Sequence, residues 1–179
     1  MDAVSFMETG PGLLASSLEW LGCNGDGVKT LNQTAGQHFD HAGDGFAERT
    51  GWVKPDDGWL VRDLNGNGTI DTGAELFGVD TVKRDGSKAR DGFDALADLD
   101  ANQDGWMDAK DAAFASLRVW RDLNQDGISQ PGELQTLAQA GIVAISTGGE
   151  SAGPVITLLA GVSTINPPAA NQAYWLQTA

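Results

Sequence analysis

The sequence predicts an α+β fold in which oxygen-rich loops connect short helices that pack on small β-hairpins or a sheet. Loops rich in Asp, Asn and Gly recur along the chain, and apolar residues at helical spacing flank two of them. Short apolar stretches between the loops are typical of strands. The chain has 179 residues, 41% of them hydrophobic, which is enough to bury a core.

We divide the chain into a lead-in segment, residues 1–23, a central module, residues 24–146, and a tail, residues 147–179. Residues 13–21 of the lead-in can form a short helix with leucines on one face. The tail is rich in Gly, Ser, Ala and Pro. It contains two candidate closing strands, residues 155–159 and 174–176.

The first loop of the module opens at Asp40 and follows a 12-residue plan incompletely. Asp40, Asp44 and Glu48 take positions 1, 5 and 9, and Gly45 takes position 6. Gly51 stands at position 12, where such a loop needs a carboxylate. We therefore expect the Asp40 loop to hold a cation only weakly or to borrow ligands from elsewhere, with Asp56 and Asp57 as candidates.

Two short apolar segments follow, residues 51–53 and 59–61. A turn sequence, Pro-Asp-Asp-Gly, joins them, and this composition predicts a β-hairpin. We expect the tryptophans of the hairpin, Trp52 and Trp59, to lie in the core.

The Asp63 loop fills the plan more completely. Its positions 1, 3, 5, 7 and 9 and its closing carboxylate are Asp63, Asn65, Asn67, Thr69, Asp71 and Glu75. The closing Glu75 falls at position 13 instead of 12, which a bulge or a late-starting exit helix can accommodate.

Two further loops follow in succession, and both close at position 12. In the same order of positions, they contain Asp100, Asn102, Asp104, Trp106, Asp108 and Asp111 in the Asp100 loop, and Asp122, Asn124, Asp126, Ile128, Gln130 and Glu133 in the Asp122 loop. Each has a glycine at position 6.

Helices are predicted around these two loops. Phe93, Leu96 and Leu99 lie at helical spacing before the Asp100 loop, and residues 110–117 are predicted to form the next helix. A third helix is predicted to begin at residue 131, to include residues 131–138 and to stop at Gly141. Residues 142–146 then alternate as a strand. We expect the segment between the loops, residues 112–120, to couple the Asp100 and Asp122 loops.

The residue types and spacing of the loops suit a hard cation. Ca²⁺ takes six to eight oxygen ligands at about 2.3–2.6 Å, and alternate residues of a tight loop can direct theirs inward together with the position-7 carbonyl. The glycine supplies the positive φ of this turn. Asp, Asn and Gly also form turns and caps without a metal. Two complete loops in succession favour EF-hand-like calcium loops, with about three strong sites and a weaker fourth.

The composition narrows the partners. The net charge of −14 and the pI near 4.2 argue against nucleic acid and anionic membranes, which are polyanions. No apolar run approaches transmembrane length, so we expect no membrane insertion. Because converging carboxylates repel one another, we expect calcium to drive folding. We expect a monomer whose partners, besides calcium, are another protein or neighbouring domains of a parent protein.

The hairpin, the order of the loops and the spacing from Asp63 to Glu75 resemble a known family. Residues 24–146 resemble the calcium-binding, self-processing module of iron-regulated RTX-type exoproteins and adhesins, with motifs such as DLNGNGTIDTGAE and DLDANQDGWMDAKD. The resemblance implies folding on extracellular calcium after type I secretion, and hence a secreted or cell-surface location. Some members of that family cleave an Asp-Pro bond at the N-terminal edge of the module and join the freed aspartyl group to a lysine.

Three functions remain open from the sequence: a non-enzymatic calcium-folded module, a self-processing module, and a dockerin-like interaction module. The chain contains no Asp-Pro dipeptide, so we expect no cleavage within it and assign no catalytic residue. An Asp-Pro junction upstream would favour self-processing. A dockerin-like module needs a duplicated helical recognition face, whereas the predicted helices differ in length and pattern.

Overall fold

β-Strands predominate in the computed structural model, which describes residues 20–22, 30–31, 36–147 and 156–158. The one α-helix in these ranges is α1, Gly92–Ala97. The strands in the same ranges are β1 (Trp20–Gly22), β2 (Thr30–Leu31), β3 (His38–Phe39), β4 (Glu48–Arg49), β5 (Trp52–Val53), β6 (Asp57–Arg62), β7 (Trp106–Asp108), β8 (Leu117–Trp120), β9 (Leu134–Thr136), β10 (Ile142–Ser146) and β11 (Ile156–Leu158). The predicted α+β, EF-hand-like fold is therefore wrong, because antiparallel strands replace most of the helices.

The largest sheet has the strand order β1-β6-β8-β9, and its neighbours are antiparallel. Trp59 lies opposite Trp120, and Leu60 lies opposite Val119. Because successive side chains point to opposite faces of a strand, these two pairs enter different clusters of buried residues. The sheet therefore has a core on each face.

We name the two clusters by their composition. The aromatic cluster comprises Phe39, Trp52, Val53, Trp59, Val61, Ile70, Leu76 and Trp120. The aliphatic cluster comprises Leu60, Phe77, Ala89, Phe93, Ala95, Leu96, Met107, Leu117, Val119, Leu137, Ile142 and Ile145. The smaller sheets, β11-β10-β7, β2-β5 and β3-β4, are also antiparallel, and their strands β3, β5, β7 and β10 supply residues to these clusters.

Both strands of the predicted hairpin form, but their predicted pairing is wrong. β5 pairs with β2, whereas β6 pairs with β1 and β8. Trp52 and Trp59 are both fully buried in the aromatic cluster, with ring centroids 5.2 Å apart. The two strands thus meet through their side chains, which leaves the backbone of each free to pair elsewhere.

Two of the predicted helices do not form. Residues 110–117 make turns and a 3-10 helix, Phe114–Ser116, before β8 begins, and residues 131–138 make turns and β9. Leu117 and Val119 both enter the aliphatic cluster, which is the period-2 pattern of a strand. Pairing of β8 with β6 and β9 therefore outweighs the helix propensity of the alanines in this segment.

The helix predicted before the Asp100 loop is confirmed as α1. The Asp91 carboxylate caps it by accepting the N–H of Asp94 at 2.8 Å. The Asp94 carboxylate accepts the backbone N–H of Arg90 at 2.9 Å and lies 3.0 Å from the ammonium of Lys83. These contacts fasten the basic segment that precedes the helix.

Predictions for the chain ends fall partly outside the described residues. Of the helix predicted over residues 13–21, only Trp20 and Leu21 are described, and they are extended in β1. The strands predicted at residues 142–146 and 155–159 are confirmed as β10 and β11. The strand predicted at residues 174–176 lies outside the described ranges. Where the chain is described, no helix is long and apolar enough to span a bilayer.

Candidate metal-binding loops

The first carboxylate of each strong loop is held by backbone N–H groups of its own loop. It accepts the N–H of position 6 and that of position 4 or 5. The distances are 2.7 and 2.8 Å from Gly66 and Gly68 to Asp63, 2.7 and 2.9 Å from Gln103 and Gly105 to Asp100, and 3.1 and 2.9 Å from Asp126 and Gly127 to Asp122. The three loops therefore turn around the same kind of anchor.

The loops also share an uncommon backbone conformation. In every loop, that of Asp40 included, φ is positive at positions 4 and 6. The values are 68°, 74°, 57° and 60° at Gly43, Gly66, Gln103 and Gln125, and 88°, 85°, 83° and 73° at Gly45, Gly68, Gly105 and Gly127. The predicted glycine turn at position 6 is confirmed. Positive φ is uncommon outside glycine, so the two glutamines show that the loop geometry prevails over local preference.

The closing carboxylate of each strong loop reaches back across the loop. One of its oxygens accepts the N–H of position 2, and the other accepts the N–H of position 9. The distances are 3.0 and 2.7 Å from Leu64 and Asp71 to Glu75, 2.9 and 3.1 Å from Ala101 and Asp108 to Asp111, and 2.8 and 3.3 Å from Leu123 and Gln130 to Glu133. Glu75 makes these contacts from position 13 because a 3-10 helix, Gly73–Glu75, takes up the extra residue.

Five carboxylates at the ends of these loops are buried. Glu75, Asp100, Asp111, Asp122 and Glu133 are each at most 5% exposed. None of the ion pairs in the described part of the chain involves these five carboxylates. The pairs join other acidic residues to lysine and arginine. Burial of an ionised carboxylate is costly unless it is hydrogen-bonded, paired or bound to a metal. The loop N–H groups satisfy part of this requirement, and each carboxylate retains lone pairs for a cation.

The side chains at positions 3, 5 and 9 are joined to one another by hydrogen bonds. The amide nitrogens donate from Asn67 to Asp71 at 2.6 Å, from Asn102 to Asp104 at 3.0 Å, and from Asn124 to Asp126 and Gln130 at 2.9 and 3.1 Å. The described residues contain no group of three or more His, Cys, Asp or Glu side chains arranged to hold a metal. The predicted ligand atoms of the loops are all oxygens, and oxygen ligands suit a hard cation and not a thiophilic one.

Hydrogen bonds favour the ionised form of carboxylates in the middle of the loops. The amide of Asn67 holds the pKa of Asp71 below its usual range, and the ammonium of Lys110 does the same for the pKa of Asp104. Burial raises the pKa of Asp126. Hydrogen bonds within the loop lower this pKa by more than burial raises it, so the net shift is downward. These groups are therefore negatively charged at neutral pH, as ligands of a cation must be.

The Asp40 loop has the same opening geometry without a closing carboxylate. Asp40 accepts the N–H groups of positions 4, 5 and 6 at 2.6, 3.2 and 2.8 Å. Its other predicted ligands lie further along, Asp44 within the loop and Glu48 in β4. The carbonyl of Asp40 accepts the N–H of Gly73 at 2.9 Å, so the Asp40 loop rests on the exit of the Asp63 loop. A side chain at Gly73 would collide with the backbone of His41.

The Asp63 and Asp122 loops contact each other at position 8. The hydroxyl oxygen of Ser129 accepts the N–H of Ile70 at 2.6 Å, and both residues are buried. Gly127 lies against the carbonyl of His38, which precedes the Asp40 loop. The Asp40, Asp63 and Asp122 loops thus form one group. The Asp100 loop is attached elsewhere, since its strand β7 pairs with β10.

An indole joins the Asp122 loop to the aromatic cluster. Nε1 of Trp52 donates to Oδ2 of Asp122 at 2.7 Å, and both side chains are fully buried. The Trp52 ring packs on Trp59 and Trp120, with centroids 5.2 and 5.4 Å away. The prediction that Trp52 lies in the core is confirmed. Its bond to a loop carboxylate could not be read from the sequence, because 70 residues separate the partners.

Sequence reasoning also missed Lys110. This residue stands at position 11 of the Asp100 loop, and its Nζ lies 3.0 Å from Asp104 and 3.1 Å from Asp108. Hydrogen bonds to the two carboxylates hold the pKa of Lys110 above its usual range, and the bond to Asp104 has the larger effect. A lysine next to the closing Asp111 was the available signal for this contact.

Comparison with a family model and with a curated protein shows what this chain is similar to. A family model described as the SPM domain matches residues 20–157, from the first residue of β1 into β11. The iron-regulated protein FrpA of Neisseria meningitidis serogroup C is 58% identical over 124 residues. That match covers 68% of this chain and 11% of FrpA, so the chain corresponds to a small part of this relative.

Proposed function

This chain belongs to the SPM domain family, and we propose that it is the calcium-binding module of a larger, exported RTX-type protein and folds on Ca²⁺. The proposed ligands are the oxygen-bearing side chains and the position-7 carbonyls of the Asp63, Asp100 and Asp122 loops. The Asp40 loop is a weaker fourth candidate. The resemblance to iron-regulated RTX-type exoproteins supports a location outside the cell, and the match to an iron-regulated protein of Neisseria agrees with that resemblance.

The burial of five loop carboxylates is the observation that carries this proposal. Each strong loop contains three or four acidic residues. In the described part of the chain, no ion pair joins a basic side chain to any of the five buried carboxylates, Glu75, Asp100, Asp111, Asp122 and Glu133. Two carboxylates about 4 Å apart repel by roughly 1 kcal/mol in water and by more near a protein surface. A divalent cation in each loop would remove this repulsion.

The positions of the loops explain why calcium would order the whole module. The Asp122 loop joins β8 to its neighbour β9. The Asp63 loop follows β6, and an antiparallel bridge between Val61 and Leu76 closes it. A candidate ion site therefore follows each of the two central strands of the largest sheet. Binding free energy at such sites becomes folding free energy.

Calcium titration of the purified chain tests the proposal. We expect chelation to reduce the circular dichroism and change the tryptophan fluorescence, and calcium to restore both, with about three ions bound by native mass spectrometry. Asp122→Asn should remove one ion, whereas Asp85→Asn, at an exposed aspartate outside the loops, should remove none. A chelated sample with unchanged spectra and no bound ions would refute the proposal.

A second function, self-processing at an upstream Asp-Pro bond, is favoured by the position of β1. This strand lies at the start of the family match and pairs with β6, with Gly22 opposite Asp57. The N-terminal edge of the family match is therefore a strand of the largest sheet. In such cleavage the aspartate carboxylate attacks its own peptide carbonyl, the C–N bond breaks, and the protonated proline nitrogen leaves.

Intact-mass measurement with and without calcium tests this second function. We expect the 179-residue chain to stay intact, because it has no Asp-Pro bond. A chain extended upstream by an Asp-Pro junction should be cut only in calcium, and an extended chain that stays intact would refute self-processing. The structure gives no support to the dockerin-like alternative, since the helices that its recognition face needs do not form beside the Asp122 loop.

A further inference from the structure

The Asp100 loop carries one more acidic group than the other two strong loops. Its four acids stand at positions 1, 5, 9 and 12, whereas the Asp63 and Asp122 loops each carry three. The acidic residues are Asp100, Asp104, Asp108 and Asp111 in the first, Asp63, Asp71 and Glu75 in the second, and Asp122, Asp126 and Glu133 in the third. An added carboxylate raises both the attraction for a cation and the repulsion within the empty loop.

Lys110 compensates for the additional charge from within the same loop. Its Nζ lies 3.0 Å from Oδ2 of Asp104 and 3.1 Å from Oδ2 of Asp108. Its backbone N–H also donates to Oδ1 of Asp108 at 2.8 Å. Position 11 of the other strong loops is Gly73 or Gly132, which bring no charge. With Lys110 counted, all three loops have the same net charge of acidic and basic side chains.

We propose that Lys110 is a tethered competitor for calcium: its ammonium binds the position-5 and position-9 carboxylates of the Asp100 loop and sets the affinity of that site. This inference rests on the proposed calcium binding. An oxygen that ligates Ca²⁺ at about 2.3–2.6 Å cannot keep a close contact with an ammonium group as well, because the two cations repel. Calcium must therefore displace Lys110 before it binds Asp104 and Asp108.

The position of Lys110 makes this displacement easy. Its side chain is 66% exposed, so the ammonium can move into solvent without disturbing the core. An exposed ion pair is worth little on its own. Removal of the competitor should therefore tighten calcium binding by about three- to tenfold, and not by orders of magnitude. The gain should shrink as ionic strength rises, because salt screens exposed charges.

Substitution of Lys110 by methionine tests the inference, with Lys88→Met as the matched control. Lys88 is 67% exposed and pairs with Asp80 at 2.7 Å outside the loops. Calcium calorimetry should give a three- to tenfold tighter site in Lys110→Met and no change in Lys88→Met. Lys110→Arg keeps the charge, so it should bind calcium as the wild-type chain does.

Terbium luminescence assigns the change to one loop. Trp106 stands at position 7 of the Asp100 loop and can sensitise Tb³⁺ bound there, so the signal lost in Trp106→Phe belongs to this loop. In Lys110→Met, that signal should appear at three- to tenfold lower Tb³⁺ concentration. Equal affinities in Lys110→Met, Lys110→Arg and the wild type would overturn the inference while calcium binding stands. If the wild type itself binds neither Ca²⁺ nor Tb³⁺, the proposed function fails instead.

Discussion

Replacement of Ser129 by alanine is expected to uncouple the Asp63 and Asp122 loops and to destabilise the module. The Ser129 hydroxyl oxygen accepts the N–H of Ile70 at 2.6 Å, and both residues are only 3% exposed. Without the hydroxyl, this buried N–H loses its acceptor. A buried donor left unsatisfied costs about 1–3 kcal/mol. We therefore expect Ser129→Ala to lower the free energy of unfolding in calcium by about 1–3 kcal/mol.

The same bond should transmit the effect of an ion from one loop to the other. On the proposed function, an ion in the Asp122 loop would fix position 8 of that loop and hence the acceptor for Ile70. We expect cooperative filling of the Asp63 and Asp122 loops in the wild type and independent filling in Ser129→Ala. Calcium calorimetry and urea unfolding in saturating calcium measure the two effects.

A matched substitution separates coupling from the general loss of a serine. Ser116→Ala removes a hydroxyl that donates to the carbonyl of Ala113 at 2.7 Å, away from the loop pair. It should leave the cooperativity unchanged. If Ser129→Ala unfolds within about 0.5 kcal/mol of the wild type and binds calcium with the same cooperativity, the reasoning is refuted.

Two further predictions concern the aromatic cluster and the acid dependence of stability. Trp52→Phe removes the indole N–H that Asp122 accepts at 2.7 Å, so calcium should bind the Asp122 loop about tenfold more weakly, a loss of about 1.4 kcal/mol. The indole N–H of Trp120 has no acceptor in the described residues, so the control Trp120→Phe should lose less calcium affinity in calorimetry. Equal losses in the two variants would contradict the assignment. The pKa of Asp94 falls from 3.8 to about 2, chiefly because its carboxylate accepts the backbone N–H of Arg90. Burial raises this pKa, and the neighbouring basic side chains lower it. Because the folded pKa is depressed, Asp94 should stabilise the fold above about pH 4 and lose that contribution as the pH falls towards 2. Asp94→Asn should therefore be less stable than the wild type at pH 6 by about 1 kcal/mol, after allowance for solvent screening, and should match the wild type near pH 2. A constant difference in urea unfolding between pH 6 and pH 2 would contradict this origin.

The local chemistry of the loops could be predicted from the sequence because it depends on near neighbours. The positive φ of Gly68, Gly105 and Gly127 follows from their place in the loop plan. The contacts of Glu75 were also accessible, since a late-starting exit helix was one of the two expected ways to absorb the additional residue, and a 3-10 helix does so. Spacing along the chain thus carried most of the information about each loop taken singly.

The relations between elements could not be predicted in the same way. The segment after Asp111 contains alanines that favour a helix, but Leu117 and Val119 match the period of β8, whose partner β6 lies far away in the sequence. The same reasoning applies to the loops. Proximity in sequence suggests that the Asp122 loop is coupled to the Asp100 loop, which stays a prediction. The contact of Ser129 with Ile70, 59 residues away, could not be read from the sequence. Contacts of this kind leave no mark on local periodicity.

The use of strands instead of helices changes what an ion can order. In a helix–loop–helix unit, the exit helix starts inside the loop, so binding there extends a helix. Here the Asp122 loop leads into β9, and the Asp63 loop leads through a 3-10 turn to Leu76, which bridges back to Val61. An ion that draws the two ends of such a loop together therefore closes an antiparallel pair. Since β6 and β8 carry a core on each face, closure of these loops brings both clusters together, and calcium-induced folding should add sheet structure with little gain in helix.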